Sequence, residues 1–500
     1  MEVFAFILYF VIVLGIGIFF YFKGRNVNNE EEYFLGGRKM GPWVTALSAQ
    51  ASDMSAWLLM GLPGSILAFG LGQAWIGIGL AIGTAANWIF VAKRLRRFSA
   101  AANDSITLPQ YLSNRFITGG KALQIISAII FLVCFTIYVA SSFVAGTSVF
   151  TSVFPKLDTN IALLLFAAII VLYTFLGGFK AVCWTDFFQG MLMLVALLTV
   201  PIVILITKDL DFSKLDQVYS YTEAGKTVDC VFGQNLFGTS WQEIVSGFAW
   251  GLGYFGMPHI LIRFMSIKKS SMIKKSATVA IIWVTIALLA AIIIAVFGRV
   301  FIGEELLTVG AQKMVFIELA RKLFPAFFAG LLLAAIIAAS MSTADSQLLV
   351  ASSSFTSDIY KPIFRKNASD KEIVWIGRIT ILVVAVVAYF IASAKGKGAQ
   401  AIMDMVGNAW GGFGASFGPV VLLSLFWKRL TYKGAVAGIA FGALVDVCWL
   451  VCLSSTGVYE LLPGFVAGLI ACVIVSLIDK KPSDQVLNLF NRAVDKQFED

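Results

Sequence analysis

Apolar runs of about 20 residues recur along nearly the whole chain, separated by short charged loops. In hydrocarbon every backbone N–H and C=O must be paired inside the protein, so runs of this length fold as spanning helices. Composition agrees: of 500 residues, 59% are hydrophobic and 13% charged, about half the charged share of a soluble domain. No polar stretch is long enough for an independent soluble domain. The formal net charge of +9 does not point to nucleic acid, because the charges cluster in short loops, as the topology of a membrane protein requires. The expected class is an all-α integral membrane protein whose surroundings are the lipid bilayer.

Thirteen spans are predicted, at roughly 3–22, 43–69, 73–97, 122–151, 161–178, 182–206, 240–265, 276–301, 314–353, 373–394, 399–427, 434–455 and 460–478. The first has Glu2 before it and Lys23 and Arg25 after it. A cleavable signal carries its positive charge first, so this is a retained helix with its N-terminus outside. An odd number of spans then puts the C-terminus inside. Of the 38 Lys and Arg, about 28 fall on the predicted inner side, among them Lys93–Arg97, Lys268-Lys269, Lys274-Lys275 and Lys428-Arg429. Asp209, Asp211, Asp216, Glu304 and Glu305 fall outside. The outer loop 207–239 has room for a short surface helix. The tail 482–500 reads equally as an inner-surface helix or a frayed end. The six cysteines are scattered and only Cys230 lies in a long loop, so neither a loop disulfide nor redox chemistry is indicated.

Three spans carry polar interruptions. The second, Thr45 to Gly61, reads TALSAQASDMSAWLLMG and sets Asp53 between serines near mid-span. An intramembrane carboxylate faces a cavity, a partner or an ion path. The stretch reads as a helix broken at a cation and solute site; the plainer alternative is a kinked helix whose Asp53 pairs inside the bundle. The seventh span packs three glycines and a proline into Trp250–His259, enough to unwind a helix, although glycine also lets helices pack closely. The second span begins five helices before the seventh, and interruptions at matching places in two halves point to an inverted-repeat transporter. The halves would be about 43–206 and 240–427. Residues 1–42 then form a leading helix and inner loop, 207–239 the outer loop, and 428–500 two further helices and a cytoplasmic tail. The ninth span supplies Ala339, Ser342, Thr343 and Ser346 at i, i+3, i+4 and i+7, one helix face. Hydroxyls facing the free carbonyls of a broken helix suit a monovalent cation that must also leave; bonding to the i−4 carbonyl or to a neighbouring helix is the structural alternative.

Trp57, Tyr138, Trp250 and Tyr254 lie near the breaks and could wall a pocket for an apolar ring bearing an amine, or belong to interfacial belts. Asp186, at the start of the sixth span, and Asp345, beside the hydroxyl face, are candidates for a second cation or its exit. Asp404 and Asp446 receive no role. His259, the single histidine, reads as a structural group. There is no phosphate loop, no HExxH and no CxxC, so neither an enzyme nor an ATP-driven pump is expected.

At these residues the sequence resembles the sodium/solute symporter family, and within it the bacterial carriers of proline. The resemblance rests on YFLGGRKMGPW (33–43), ALSAQASDMSAWLLMGLPG (46–64), GLGQAWIGIGLAIGTAANW (70–88), WGLGYFGMPHIL (250–261), MSTADSQLL (341–349) and FWKRLTYKGAVAG (426–438). It implies a LeuT-like, five-plus-five inverted-repeat core and alternating access driven by inward sodium. It places Na+ on the carbonyls of Ala51, Met54 and Ala339 and the hydroxyls of Ser342 and Thr343. Substrate contacts would be Ser55, Trp57, Tyr138, Trp250, Tyr254 and Pro258, and Asp53 and Asp186 would be functionally sensitive. The chain has Ala56 where some proline carriers have glycine. Asp345-Ser346 is more polar than in some relatives, which leaves open a second sodium beside Asp186. The expectation is sodium-coupled uptake of L-proline across the bacterial cytoplasmic membrane, with no obligate protein partner. A related solute (sugar, sialic acid, pantothenate, monocarboxylate) and a non-transporting proline sensor are the alternatives.

Overall fold

The computed structural model describes residues 1–23, 29–117, 120–223, 226–233, 235–307, 311–394, 399–495 and 497–498. Among them the chain is almost wholly helical; the exception is a small antiparallel hairpin pairing Tyr219–Glu223 with Lys226–Cys230. Ten helices among the described residues are long and apolar enough to cross a membrane. The remaining three expected spans correspond to a short apolar helix, Thr159–Phe175, and to the interrupted segments 42–69 and 241–266. Length and composition alone therefore support ten crossings where the sequence pattern predicts thirteen.

Burial sorts these helices. Ala326–Phe364 and Ile402–Phe426 are each 78% buried over their most apolar window, against 28% for Tyr432–Cys452 and 33% for Leu461–Ile478. The first two are central. The last two turn apolar side chains such as Phe441, Leu444, Ile470 and Ile474 outward, as a lipid-facing surface requires. Helix Ala326–Ser353 packs on Pro42–Asp53, Ala122–Val153, Thr159–Thr207 and Glu2–Lys23. Its buried Ala334, Ala335, Ala338, Ala339, Ser342 and Ala344 let those backbones approach closely.

Several boundaries differ from the sequence pattern. The predicted ninth span at 314–353 splits. An amphipathic helix, Val315–Leu323, carries Glu318, Arg321 and Lys322, and the chain turns extended at Phe324 (φ −121°, ψ 150°) before Ala326–Ser353 begins. Pro325 disfavours helical geometry in the residue before it. The fifth and sixth spans meet without a loop, at the one non-helical residue Gly178 (φ 63°, ψ 178°), a conformation open to glycine. The loop after Thr207 holds a 3₁₀ turn, Phe212–Asp216, besides the hairpin. The tail forms helix Asp484–Val494, burying Val486, Phe490 and Ala493, and packs on Lys93–Ala101.

Both predicted interruptions are present. Helix Pro42–Asp53 stops at Met54 (φ −82°, ψ 74°), and the chain resumes as a wide π-helical turn, Trp57–Gly61. The second break falls just beyond the three glycines, at Met257. Helix Trp241–Trp250 narrows to a 3₁₀ stretch, Gly251–Phe255, and leaves helical geometry at Met257 (φ −74°, ψ 105°) before Pro258–Ser266. Proline at 258 imposes that geometry on Met257. The glycines serve close packing: a Cβ at Gly253 would lie 1.9 Å from Trp410 Nε1, and one at Gly256 2.4 Å from the Phe413 carbonyl.

Candidate functional site

An uninterrupted helix would bond the N–H of Ser55 to the carbonyl of Ala51. At the break Ser55 N–H donates instead to the Asp53 carbonyl at 3.0 Å. The Ala51 carbonyl is thereby released, and the hydroxyl face of Ala326–Ser353 meets it. Ser342 Oγ donates to it at 2.8 Å and Thr343 Oγ1 at 3.4 Å. Ser342 Oγ also lies 3.2 Å from the Ala339 carbonyl. Met54, the first non-helical residue, is fully buried beside them. These groups are oxygen donors, the type a hard monovalent cation accepts. A hydroxyl can rotate its proton away and offer lone pairs to an ion.

The aromatic residues gather around Asp53. Its carbonyl accepts from Trp57 Nε1 at 3.2 Å and from the Tyr138 hydroxyl at 3.5 Å. Its carboxylate Oδ2 accepts from the Tyr254 hydroxyl at 2.5 Å, which ties the first break to the second. Oδ1 has no hydrogen-bond partner among the described residues. Asn87 Nδ2 fixes the Tyr254 carbonyl at 3.0 Å. Ser55 Oγ accepts from Trp57 N–H at 3.4 Å, and Pro258 opens the C-terminal limb of the second break.

Trp250 stands apart from this group. Its carbonyl accepts from Trp410 Nε1 at 2.8 Å, and Trp410 meets Tyr254 edge-on at 5.1 Å. On its other side Trp250 stacks on Tyr459, with centroids 5.0 Å apart and planes at 20°. It also lines a cavity of about 520 Å³ with Ser65, Gln73, Glu243, Asp404 and Tyr459. At 7% exposed it is less buried than Trp57, Tyr138 or Tyr254.

The hydroxyl face divides after one turn. Ser346 does not join Ser342 and Thr343; its Oγ accepts from Arg263 Nη2 at 2.5 Å. The same guanidinium donates to Asp186 Oδ2 at 3.2 Å, to Ser48 Oγ at 3.2 Å and to the His259 carbonyl at 2.6 Å. Ser48 Oγ in turn donates to Asp186 Oδ2 at 2.7 Å. Asp345 is fully buried, and neither carboxyl oxygen has a hydrogen-bond partner among the described residues.

Sequence reasoning missed Arg263, Ser48, Asn87, Trp410 and Tyr459. Arg263 was within reach, since an arginine inside an apolar span draws the same attention as an aspartate. The others are ordinary helix residues whose importance comes from what faces them.

A sequence model of the Sodium:solute symporter family matches residues 33–442. The chain belongs to that family. Among relatives of this symporter, the "High-affinity proline transporter PutP" of Bacillus subtilis is 44% identical over 94% of this chain and 97% of its own length. The "Sodium/proline symporter" of Haemophilus influenzae is 43% identical over 98% and 97%. A substrate-bound, outward-open Na+-coupled sialic acid symporter superimposes with a TM-score of 0.74 at 18% identity, covering 96% of this chain and 98% of that one. Mhp1, a nucleobase-cation-symport-1 family transporter in a closed, ligand-bound conformation, superimposes at 0.55 and 14%, covering 92% and 98%. These likenesses place the symporter's fold in the LeuT-like class.

Proposed function

We propose that this symporter couples sodium entry to the uptake of L-proline across the bacterial cytoplasmic membrane by alternating access, without a chemical step. The observation that carries the reading is the pair of hydroxyls, Ser342 and Thr343, meeting the Ala51 carbonyl that the first break sets free. In this reading sodium binds the carbonyls of Ala51, Met54 and Ala339 together with those two hydroxyls. Asp53 adds a nearby negative charge with one oxygen unspent. Proline lies against Trp57, Tyr138 and Tyr254, with Ser55 and Pro258 beside them and Trp250 towards the outer cavity. Relatives 43–45% identical over nearly the whole chain and named for proline support that solute. Placement of Lys and Arg supports an outer N-terminus and an inner C-terminus.

The repeats are 43–206 and 240–427, each with its break in its first helix. The bond from Tyr254 to Asp53 links the two. Ligands that favour one arrangement of both breaks raise each other's affinity by the same factor. Proteoliposomes containing the purified chain test the reading: an inward sodium gradient drives labelled proline accumulation and a choline gradient does not. Saturable proline binding without sodium-driven accumulation would identify a sensor instead. Accumulation of another solute in preference to proline would overturn the substrate.

A further inference from the structure

A groove of about 790 Å³ lies between the first helix, Glu2–Lys23, the entry to helix Pro42–Asp53, and the part of Thr159–Thr207 that follows Gly178. Its walls are mostly apolar, with Val11, Ile16 and Phe19 on the first helix and Phe188 facing them from the last. Val11, Phe19 and Phe188 are exposed, so the groove opens on the surface that meets lipid. From Val11 to Phe19 the helix rises about 12 Å, close to the roughly 15 Å of hydrocarbon in one leaflet. Gly15 leaves room within it: a Cβ there would meet no heavy atom within 4 Å.

Lys39 and Lys180 line the same groove, and no acidic residue does. Neither ammonium is paired with a carboxylate among the described residues. In the topology proposed above both belong to the inner, headgroup end. Gly41 also lines the groove and caps helix Pro42–Asp53 without a side-chain bond, so the first N–H groups of that helix add partial positive charge there.

We propose that this groove binds one anionic glycerophospholipid of the cytoplasmic leaflet, with an acyl chain along the first helix and the phosphate between Lys39 and Lys180. Any apolar face serves an acyl chain. Two lysines without a counter-charge make this one select an acidic headgroup. The headgroup would lie beside Met40, whose N–H donates to the Ser266 carbonyl at 3.2 Å and whose carbonyl accepts from Lys268 N–H at 3.0 Å. That bridge joins the entry of the first broken helix to the exit of the second, so the lipid abuts the inner link between the two interrupted segments.

The test counts bound lipid. The purified full-length symporter is titrated with dioleoyl phosphatidylglycerol or dioleoyl phosphatidylcholine and read by native mass spectrometry. The wild type is expected to hold one phosphatidylglycerol in preference to phosphatidylcholine. Each lysine near an acidic headgroup contributes roughly fivefold in affinity, so Lys39→Gln with Lys180→Gln is expected to weaken phosphatidylglycerol about thirtyfold and to remove the preference. Gly15→Leu fills the groove, keeps its charge, and is expected to weaken both lipids there. Lys480→Gln with Lys481→Gln, at exposed lysines outside the groove, is expected to bind as the wild type does. Equal retention of the two lipids by the wild type overturns the proposal, as does wild-type affinity in the Lys39 and Lys180 double variant. A comparable loss in the Lys480 and Lys481 variant would mean diffuse surface charge and overturns it too. Wild-type affinity in Gly15→Leu would leave the lysines as a site for a soluble anion and overturn the lipid as occupant. None of these readouts requires proline uptake, so the lipid site and the uptake reading fail separately.

Discussion

Asp53 and Asp186 are both carboxylates buried in helical spans, yet they are satisfied in opposite ways. Asp186 holds a guanidinium, two hydroxyls and a place in a four-segment cluster. Asp53 holds one tyrosine hydroxyl and leaves an oxygen unspent. An ion-paired carboxylate is a structural joint, because removing its partner leaves a bare charge in a dry interior. A buried carboxylate held only by a neutral donor has no built-in counter-charge, and must find a cation or take up a proton. The difference separates a carboxylate closed by the protein's own guanidinium from one that keeps an oxygen open.

Four measurements break or sharpen that contrast. The largest effect is expected from Arg263→Ala in sodium-free buffer. Loss of one partner of a buried pair costs about 3–5 kcal/mol, read as a lowered thermal unfolding midpoint; an unchanged midpoint would remove the joint. Tyr254→Phe takes away the one donor on the Asp53 carboxylate among the described residues. At about 1.5–3 kcal/mol for a bond to a charged group, proline affinity is expected to fall by about tenfold or more, with the midpoint largely kept. Titration calorimetry giving wild-type affinity would detach Asp53 from the solute site. Ser342→Ala removes one oxygen from the Ala51 face. It should raise the sodium concentration for half-maximal uptake roughly tenfold, the equivalent of about 1.4 kcal/mol; unaltered sodium dependence would defeat the ion site. The smallest effect belongs to Glu305→Gln, which breaks the exposed pair with Lys322 at 2.6 Å. Exposed pairs contribute about 1 kcal/mol or less, so stability should barely move; a large loss would undo the distinction between buried and exposed charge.

Much of this arrangement was legible along the chain. The breaks announce themselves, the first through Asp53 among serines and the second through three glycines and Pro258. The spacing of Ser342 and Thr343 placed both on one face, and both do meet Ala51. The same face also included Ser346, and there periodicity misled. One turn of helix carries a side chain about 5 Å along the axis, far enough to give it different neighbours. Ser346 joins Arg263 and Asp186 for that reason. Trp250 was expected with the other aromatic residues near the breaks, yet it stands before the 3₁₀ stretch and stacks on Tyr459.

By itself the sequence determined the membrane class, most of the spans, the two interruptions and the family, because bilayer thickness, helical period and backbone pairing act on neighbours along the chain. Only the tertiary structure decided which carboxylate receives Arg263, which tyrosine holds Asp53, and that the Ala51 carbonyl receives two hydroxyls rather than one. Those choices depend on side chains from segments hundreds of residues apart meeting where no water competes for them. A one-dimensional pattern carries no record of which distant partner arrives.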